Sequence, residues 1–280
     1  MELIYDGLNI VLPVEWLSYN FMKNAFLAVL LITPLFGLLG TMVVSNRMAF
    51  FSDSLGHGAF TGVAIGALLG GVEPLLSIVV FSIVFAGIIT YIKGKSRAST
   101  DTIIGVFSST AIAVGLMLMS YGGSFTKFSS YLIGDLLSIS SDDLVILLGV
   151  FIVIHMIWMV IFNKLLLISI NPSLAASRGI NTMWIEMIFA AILAVVVAIS
   201  IQWVGLLIIN SMLVLPAAAA RNITNQVRSY HYVSVLFALG AGIFGLIASY
   251  YCNTATGATI VLISAVLFFI TLFIKPYAVK

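Results

Sequence analysis

Residues 144–162 read LVILLGVFIVIHMIWMVIF and carry no charged side chain. Asp142 and Asp143 precede this stretch, and Lys164 follows it closely. About 20 predominantly apolar residues in an α-helix cross the hydrocarbon core of a bilayer. The stretch therefore predicts a membrane-spanning helix, which we place at 143–163.

Similar apolar stretches recur along the whole chain. The predicted spans are 22–45, 49–70, 74–92, 102–121, 143–163, 183–201, 203–220, 231–250 and 257–274. Residues 184–220 are too long for one helix, and Gln202-Trp203-Val204-Gly205 offers a break. Nine spans follow, or eight if 203–220 is re-entrant. The half-polar stretch 124–140 predicts a short helix outside the membrane.

The composition excludes an ordinary soluble domain. Of the 280 residues, 62% are hydrophobic and 8% are charged, against about 25% charged residues in soluble domains. No linker divides the chain, so we predict one transmembrane domain over residues 1–280. Its predicted fold is an all-α, polytopic helical bundle in the cell membrane. Cys252 is the single cysteine, which excludes an intramolecular disulfide framework and a thiolate metal cluster.

The distribution of basic residues predicts the orientation. With the N-terminus outside and the C-terminus in the cytoplasm, only Lys23 and Lys127 of the 12 lysines and arginines fall outside. The basic residues then on the cytoplasmic side are Arg47, Lys93, Lys95, Arg97, Lys164, Arg178, Arg221, Arg228, Lys275 and Lys280. This asymmetry follows the positive-inside rule.

Asp53 and His57 are the most informative polar residues within a predicted span. An intramembrane carboxylate costs about 2.5–3.5 kcal/mol on insertion scales, so it needs an explanation. The spacing of four residues places Asp53 and His57 on one helix face, where a carboxylate oxygen and an imidazole nitrogen can converge on one zinc or manganese ion. A structural ion pair, or Asp53 as an N-terminal helix cap, explains the same spacing.

Other polar residues have more ordinary interpretations. Thr61 continues the face of Asp53 and His57, and Asn210 at mid-span either lines a pathway or joins helices. Asp101 is interpreted as the N-terminal cap of its helix, and Glu186 as a structural residue that reaches the membrane interface. His231, at a helix start, is interpreted as interfacial.

A second face of the same predicted helix carries glycine at every fourth position. Such a ridge allows another helix to pack backbone to backbone. The predicted packing positions are Gly58, Gly62, Gly66 and Gly70.

No motif in the sequence predicts an enzyme. Gly94-Lys95-Ser96 resembles the end of a phosphate-binding loop, but residue 89 is isoleucine where that loop needs glycine. HExxH and GxSxG motifs are absent from the sequence. The chain is therefore expected to be a channel, a gradient-driven carrier, or the membrane part of a machine whose ATPase is another chain.

Five stretches resemble the permeases of zinc, manganese and iron ATP-binding-cassette (ABC) importers. Met48–Gly66, which contains Asp53-Ser-Leu-Gly-His57, is similar to the second-span segment of that family. The other similar stretches are 101–108, 205–221, 256–262 and 171–180. The Phe-Phe-Ser-Asp context of Asp53 resembles the zinc branch more closely, with manganese next.

Residues 171–180, within the segment 164–182, occupy the place of that family's cytoplasmic coupling helix. The resemblance assigns contact with the ATPase to Asn171, Pro172, Ser173, Leu174, Ala175, Arg178 and Gly179. The family usually has an aspartate before the proline and an acidic residue after it, whereas this chain has Asn171 and Ser173.

The resemblance also implies partners and cargo. It implies a second permease copy, a cytoplasmic ATP-binding subunit and an extracellular or periplasmic metal-binding protein, with metal passage at Asp53 and His57. No permanently bound cofactor and no nucleic acid is expected. Alternatives are a permease for a siderophore or vitamin B12 chelate, which needs no protein ligands for its metal, and a gradient-driven metal carrier.

Overall fold

The computed structural model describes residues 5, 7, 8, 14–69, 73–122 and 134–278. Within these ranges the regular structure is helical, without a strand. Among the described residues the α-helices are α1 (Asn20–Ser45), α2 (Ala49–Leu69), α3 (Pro74–Lys95), α4 (Thr100–Gly122), α5 (Ser141–Ile170), α6 (Pro172–Ser177), α7 (Thr182–Val204), α8 (Leu206–Ile223), α9 (Val227–Cys252) and α10 (Thr256–Ala278). Single 3₁₀ turns occupy Glu15–Ser18 and Leu136–Ser138.

Seven helices in the described part of the chain are long and apolar enough to cross a membrane. They are α1, α3, α4, α5, α7, α9 and α10. Helices α2 and α8 lie at the other two predicted spans, but α2 carries Asp53 and His57, and α8 is short. A span count of eight or nine, and the orientation of the termini, stay predictions.

The predicted break between the seventh and eighth helices is confirmed. Helix α7 ends at Val204, and Gly205 has φ +86°, a left-handed conformation that a residue with a Cβ rarely adopts. Its N–H still donates to the carbonyl of Ile201, so the last turn of α7 is closed before α8 begins.

Two details at helix ends differ from the sequence analysis. Ser99, not Asp101, caps α4, because the Ser99 Oγ accepts a hydrogen bond from the N–H of Thr102 at 3.1 Å. The helix starts at Thr100, so Asp101 already lies in its first turn and the capping prediction is wrong. In the predicted helix 124–140, residues 124–133 lie outside the described ranges, and residues 136–138 form one 3₁₀ turn.

The chain divides into two compact units. One comprises the described residues up to 41, 134–152 and those from 211 onward; the other comprises 42–69, 73–122 and 153–210. The prediction of a single domain stays a prediction.

In the second unit, α2 packs against α3, α4 and α7. Its buried side chains join those of the neighbouring helices in an apolar cluster of Ala59, Phe60, Val63, Ala64, Ile78, Met119, Ala198, Ile201 and Leu206. Lipid is as apolar as these side chains, so close packing rather than exclusion of water holds such helices together.

The glycine face of α2 lies against α3. A Cβ added at Gly62 would come within 3.1 Å of the Ile78 Cα, and one at Gly66 within 2.8 Å of the Ser77 side chain. At Gly58 it would meet the Phe85 ring at 2.7 Å. Gly70, the fourth position of the ridge, lies outside the described residues.

In the first unit, α9 contacts α1 and α10 through polar groups and glycines. The Ser234 hydroxyl donates to the carbonyl of Gly37 at 2.6 Å, and a Cβ at Gly245 would overlap Ile260. His231 Nε2 lies 2.9 Å from the Thr41 hydroxyl, and its Nδ1 lies 2.8 Å from the carbonyl of Val227. His231 therefore joins α9 to α1.

We predict that Gly62→Leu destabilises the protein whereas Gly87→Leu does not. The added side chain at Gly62 would overlap the backbone of α3, whereas a Cβ at Gly87 meets no atom within 4 Å. Overpacking of this kind costs about 1–3 kcal/mol. Thermal unfolding of the two variants in the same detergent measures the difference, and equal midpoints would contradict the close α2–α3 contact.

Candidate metal site

Helix α2 presents Asp53 and His57 to each other. The distance between His57 Nε2 and Asp53 Oδ2 is 3.5 Å, and their side chains are 22% and 42% exposed. Both groups have lone pairs suited to a divalent transition metal when the imidazole is neutral. The pair is therefore both associated and accessible, as a site on a pathway requires.

The pair supplies only two protein donors from this chain. Among the described residues, no group of three or more His, Cys, Asp or Glu side chains could hold a metal ion. A tight structural site for zinc has four protein ligands. A site with two protein donors instead suits transient binding, in which the ion keeps part of its water shell and can leave again.

Asp53 also lines a cavity of about 250 Å³ between α2 and α4. The lining residues are Phe50, Asp53, Asp101, Ile104, Gly105 and Ser108. Asp101, assigned only a capping role from the sequence, thus shares a cavity with Asp53. Asp101 lies near the N-terminal end of α4, as Asp53 lies near that of α2, and this shared position is the signal that could have placed it there.

The Thr61 side chain is buried at a helix contact. Its hydroxyl lies 2.6 Å from the carbonyl of Ala111 on α4 and 3.3 Å from the carbonyl of His57. A hydroxyl has one proton to donate, and the shorter distance is to Ala111. Thr61 thereby links α2 to α4 on the same helix face as Asp53 and His57.

Asn210 contacts the residue before Asp53. The hydroxyl of Ser52 donates to Asn210 Oδ1 at 2.5 Å, and it also lies 2.8 Å from the carbonyl of Ala49. Ser52 is fully buried. The amide oxygen of Asn210 is therefore engaged by α2, a partnership that the sequence analysis did not identify.

Glu186 has a specific partner. Its Oε2 lies 3.1 Å from the ammonium group of Lys93, so an ion pair connects α7 to α3. This agrees with the structural interpretation of Glu186, but no pattern in the sequence indicates which lysine it meets.

In the segment around α6, some residues cap, end or seat the helix, and others present exposed side chains. Asn171 Oδ1 accepts from the N–H of Leu174 at 3.0 Å and so caps the helix, while Gly179 ends it with φ +75°. Ala175 is fully buried. The other assigned residues, Pro172, Ser173, Leu174 and Arg178, are exposed, and so is Asn171 itself.

Comparison with known proteins now identifies the family. Residues 18–275 match the model of the ABC 3 transport family. The chain belongs to this family. It is a multi-pass cell-membrane permease of a metal ABC importer, as the sequence resemblance predicted.

Relatives of this permease carry names for two metals. The chain is 31% identical to the manganese import system permease protein ScaB of Streptococcus gordonii, over 92% of this chain and 93% of the relative. It is 34% identical to the high-affinity zinc uptake system membrane protein ZnuB of Haemophilus influenzae, over 84% and 90% of the two chains.

A solved structure has the same fold. A chain of PsaBC from Streptococcus pneumoniae, solved in complex with Fab, superposes with a TM-score of 0.82 at 31% identity, covering 99% of this chain and 97% of that one. A putative metal-chelate type ABC transporter in an inward-facing conformation shares the fold at 15% identity and a TM-score of 0.66, covering 90% and 85% of the two chains.

We predict that Ser52→Ala destabilises the permease, whereas Ser54→Ala does not. Ser52→Ala leaves the oxygen of Asn210 without its donor, at a cost of about 1–3 kcal/mol. Ser54 is equally buried, but its hydroxyl has no hydrogen-bond partner in the described part of the chain, so its removal is neutral or stabilising. Thermal unfolding of both variants tests this, and equal losses would exclude the Ser52–Asn210 bond as a stabilising contact.

Proposed function

We propose that this permease moves a divalent transition metal ion into the cytoplasm, with zinc the favoured ion and manganese the next. The observation that carries the proposal is the accessible Asp53–His57 pair, with a 3.5 Å separation. An intramembrane carboxylate is costly to keep, so its presence beside an imidazole supports a functional role such as passage of a cation. The names of relatives at about 30% identity support both metals.

The donor set supports transition metals over magnesium and calcium. Those two ions are bound mainly by oxygen ligands, whereas an imidazole nitrogen suits zinc strongly and manganese less strongly. A carboxylate and an imidazole accept both metals, so zinc is proposed first because the Phe-Phe-Ser-Asp context of Asp53 resembles the zinc branch. Thr61 and Asn210 are proposed to border the pathway. Thr61 is held there by its contact with Ala111, and Asn210 by its contact with Ser52.

The proposed orientation puts the N-terminus outside and the C-terminus in the cytoplasm. The asymmetry of lysine and arginine supports it. In this orientation α6 lies on the cytoplasmic side, where a separate ATPase subunit would bind, and a metal-binding protein would deliver the ion from outside. Two copies of the permease are proposed to form the transport unit.

The contacts of α6 suggest how it would engage the ATPase. Asn171, Ala175 and Gly179 shape the helix and seat it, which leaves Leu174 and Arg178 as the exposed apolar and charged groups. We therefore expect an ATPase surface with an apolar pocket and a nearby carboxylate. In this chain Asn171 takes the place of the family's usual aspartate, and as a cap it preserves the helix.

The test of function is metal accumulation in a strain that lacks its own copy of this gene. The wild-type chain is expected to restore zinc uptake most strongly, and the Asp53→Ala/His57→Ala double variant to lower it by roughly tenfold or more. Elemental mass spectrometry measures zinc and manganese in cells with equal amounts of permease in the membrane.

A matched control replaces a carboxylate outside the site. Asp142→Asn alters an exposed residue at the start of α5 and is expected to leave uptake within about twofold of wild type. If the double variant accumulates both metals normally, the site assignment is wrong. If only manganese responds to the wild-type chain, the preference for zinc is wrong.

The interaction with the ATPase has its own test. Leu174→Asp/Arg178→Glu is expected to abolish co-purification of the ATPase subunit, because it reverses one charge and removes the apolar contact. Asn171→Asp retains a capping oxygen and is expected to co-purify normally. Retention of the ATPase by the double variant would refute the assignment of Leu174 and Arg178 as contacts.

A further inference from the structure

Helices α2 and α4 are in close contact at one level and border a cavity at another. The close level lies at Thr61, whose hydroxyl reaches the carbonyl of Ala111 at 2.6 Å. The open level lies eight residues earlier in α2, where Asp53 borders the cavity of about 250 Å³. The two helices therefore form a wedge, which we define by Thr61 at its closed end and Asp53 at its open end.

Close packing explains the glycine at the closed end of the wedge. A Cβ at Gly115 of α4 would lie 3.0 Å from the Thr61 Oγ1 and 3.3 Å from the Phe60 ring. The absence of a side chain at Gly115 therefore lets α4 approach α2.

Close packing does not explain Gly105, which lies at the open end of the wedge. It lines the cavity together with Asp53, yet a Cβ built on Gly105 meets no atom within 4 Å. Glycine inside a helix lowers helix stability relative to alanine. Its presence at the wall of the cavity is therefore unexplained by the packing of this conformation.

We propose that α4 closes on α2 at Gly105 during transport, with the contact at Thr61 as the pivot, and that Gly105 determines transport because it permits this closure. The proposal rests on the proposed function, since it takes the cavity beside Asp53 to be part of the cation pathway. Closure removes the space through which a divalent cation at Asp53 reaches water. The structure described here is then the open member of two states.

The closed state also follows from the arrangement of the lining groups. Moving α4 toward α2 brings Asp101 toward Asp53, because both line the same cavity. Two carboxylates in a small closed site repel each other unless a cation lies between them. The proposed closure is thus favoured by the cargo, and the two states differ in their affinity for it.

The experiment measures metal uptake for Gly105→Ala and Gly105→Leu in the assembled importer. A Cβ at Gly105 meets no atom within 4 Å and the cavity lies beside it, so the amount of permease and of co-purified ATPase is expected to match wild type. Uptake is expected to fall in the order of side-chain size, reaching roughly a tenfold loss for Gly105→Leu. Gly87→Leu, also at an open glycine, is the matched control and is expected to retain uptake within about twofold.

A second measurement does not depend on uptake. In a Cys252→Ser background, which removes the single native cysteine, Gly105→Cys is exposed to a hydrophilic thiol reagent with and without ATP and vanadate. Closure predicts a severalfold slower reaction in the trapped state. Ser96→Cys, in the exposed loop before α4, is expected to react at the same rate in both.

The outcomes separate this proposal from the proposed function. Normal uptake by Gly105→Leu, or an unchanged reaction rate of Gly105→Cys, overturns the closure. Failure of Gly105→Leu to assemble with the ATPase also overturns it, because Gly105 would then belong to an assembly surface. Normal uptake by the Asp53→Ala/His57→Ala variant refutes the metal site itself, whatever Gly105 does.

Discussion

Close approach of α2 to its neighbours is the constraint on which the second unit depends. Apolar helices gain little from burying their surfaces against one another in lipid, so contact must come from backbones that can approach and from polar groups that find partners. Gly58, Gly62 and Gly66 provide the approach to α3, where even a single Cβ would crowd the facing atoms. Without that approach, Asp53 and His57 would not be held at a defined place among the surrounding helices.

Hydroxyl groups complete the attachment of α2. Ser52 donates to Asn210 on α8, Thr61 to Ala111 on α4, and the hydroxyl of Ser77 on α3 donates to the carbonyl of Gly62 at 2.7 Å. Each hydrogen bond satisfies a polar group that would have no water as a partner in the hydrocarbon core of a membrane. Together with the glycines they leave Asp53 at the cavity, with His57 Nε2 3.5 Å from its carboxylate.

Much of this architecture could be predicted from the sequence. Apolar length places most helices, Gly205 marks the break, and a spacing of four residues brings Asp53 to His57. These features depend on residues close together in the chain. The pairings of Glu186 with Lys93 and of Asn210 with Ser52 depend on which helices become neighbours, and nothing in local spacing encodes that.

The capping of α4 shows a different limit. Ser99 and Asp101 are both good capping residues, and the choice between them depends on where the first turn begins. A difference of two residues is within the uncertainty of a helix boundary predicted from sequence, yet it decides whether Asp101 caps its own helix or is available to a cavity.

The division of α2 into attached faces and one face at the cavity has a consequence for how such permeases diverge. Substitutions on the attached faces disturb glycine contacts or buried hydroxyls and are selected against through folding. The cavity-facing positions carry no comparable packing penalty. We expect substitutions there to alter the chemistry of the site while the packing of α2 is preserved.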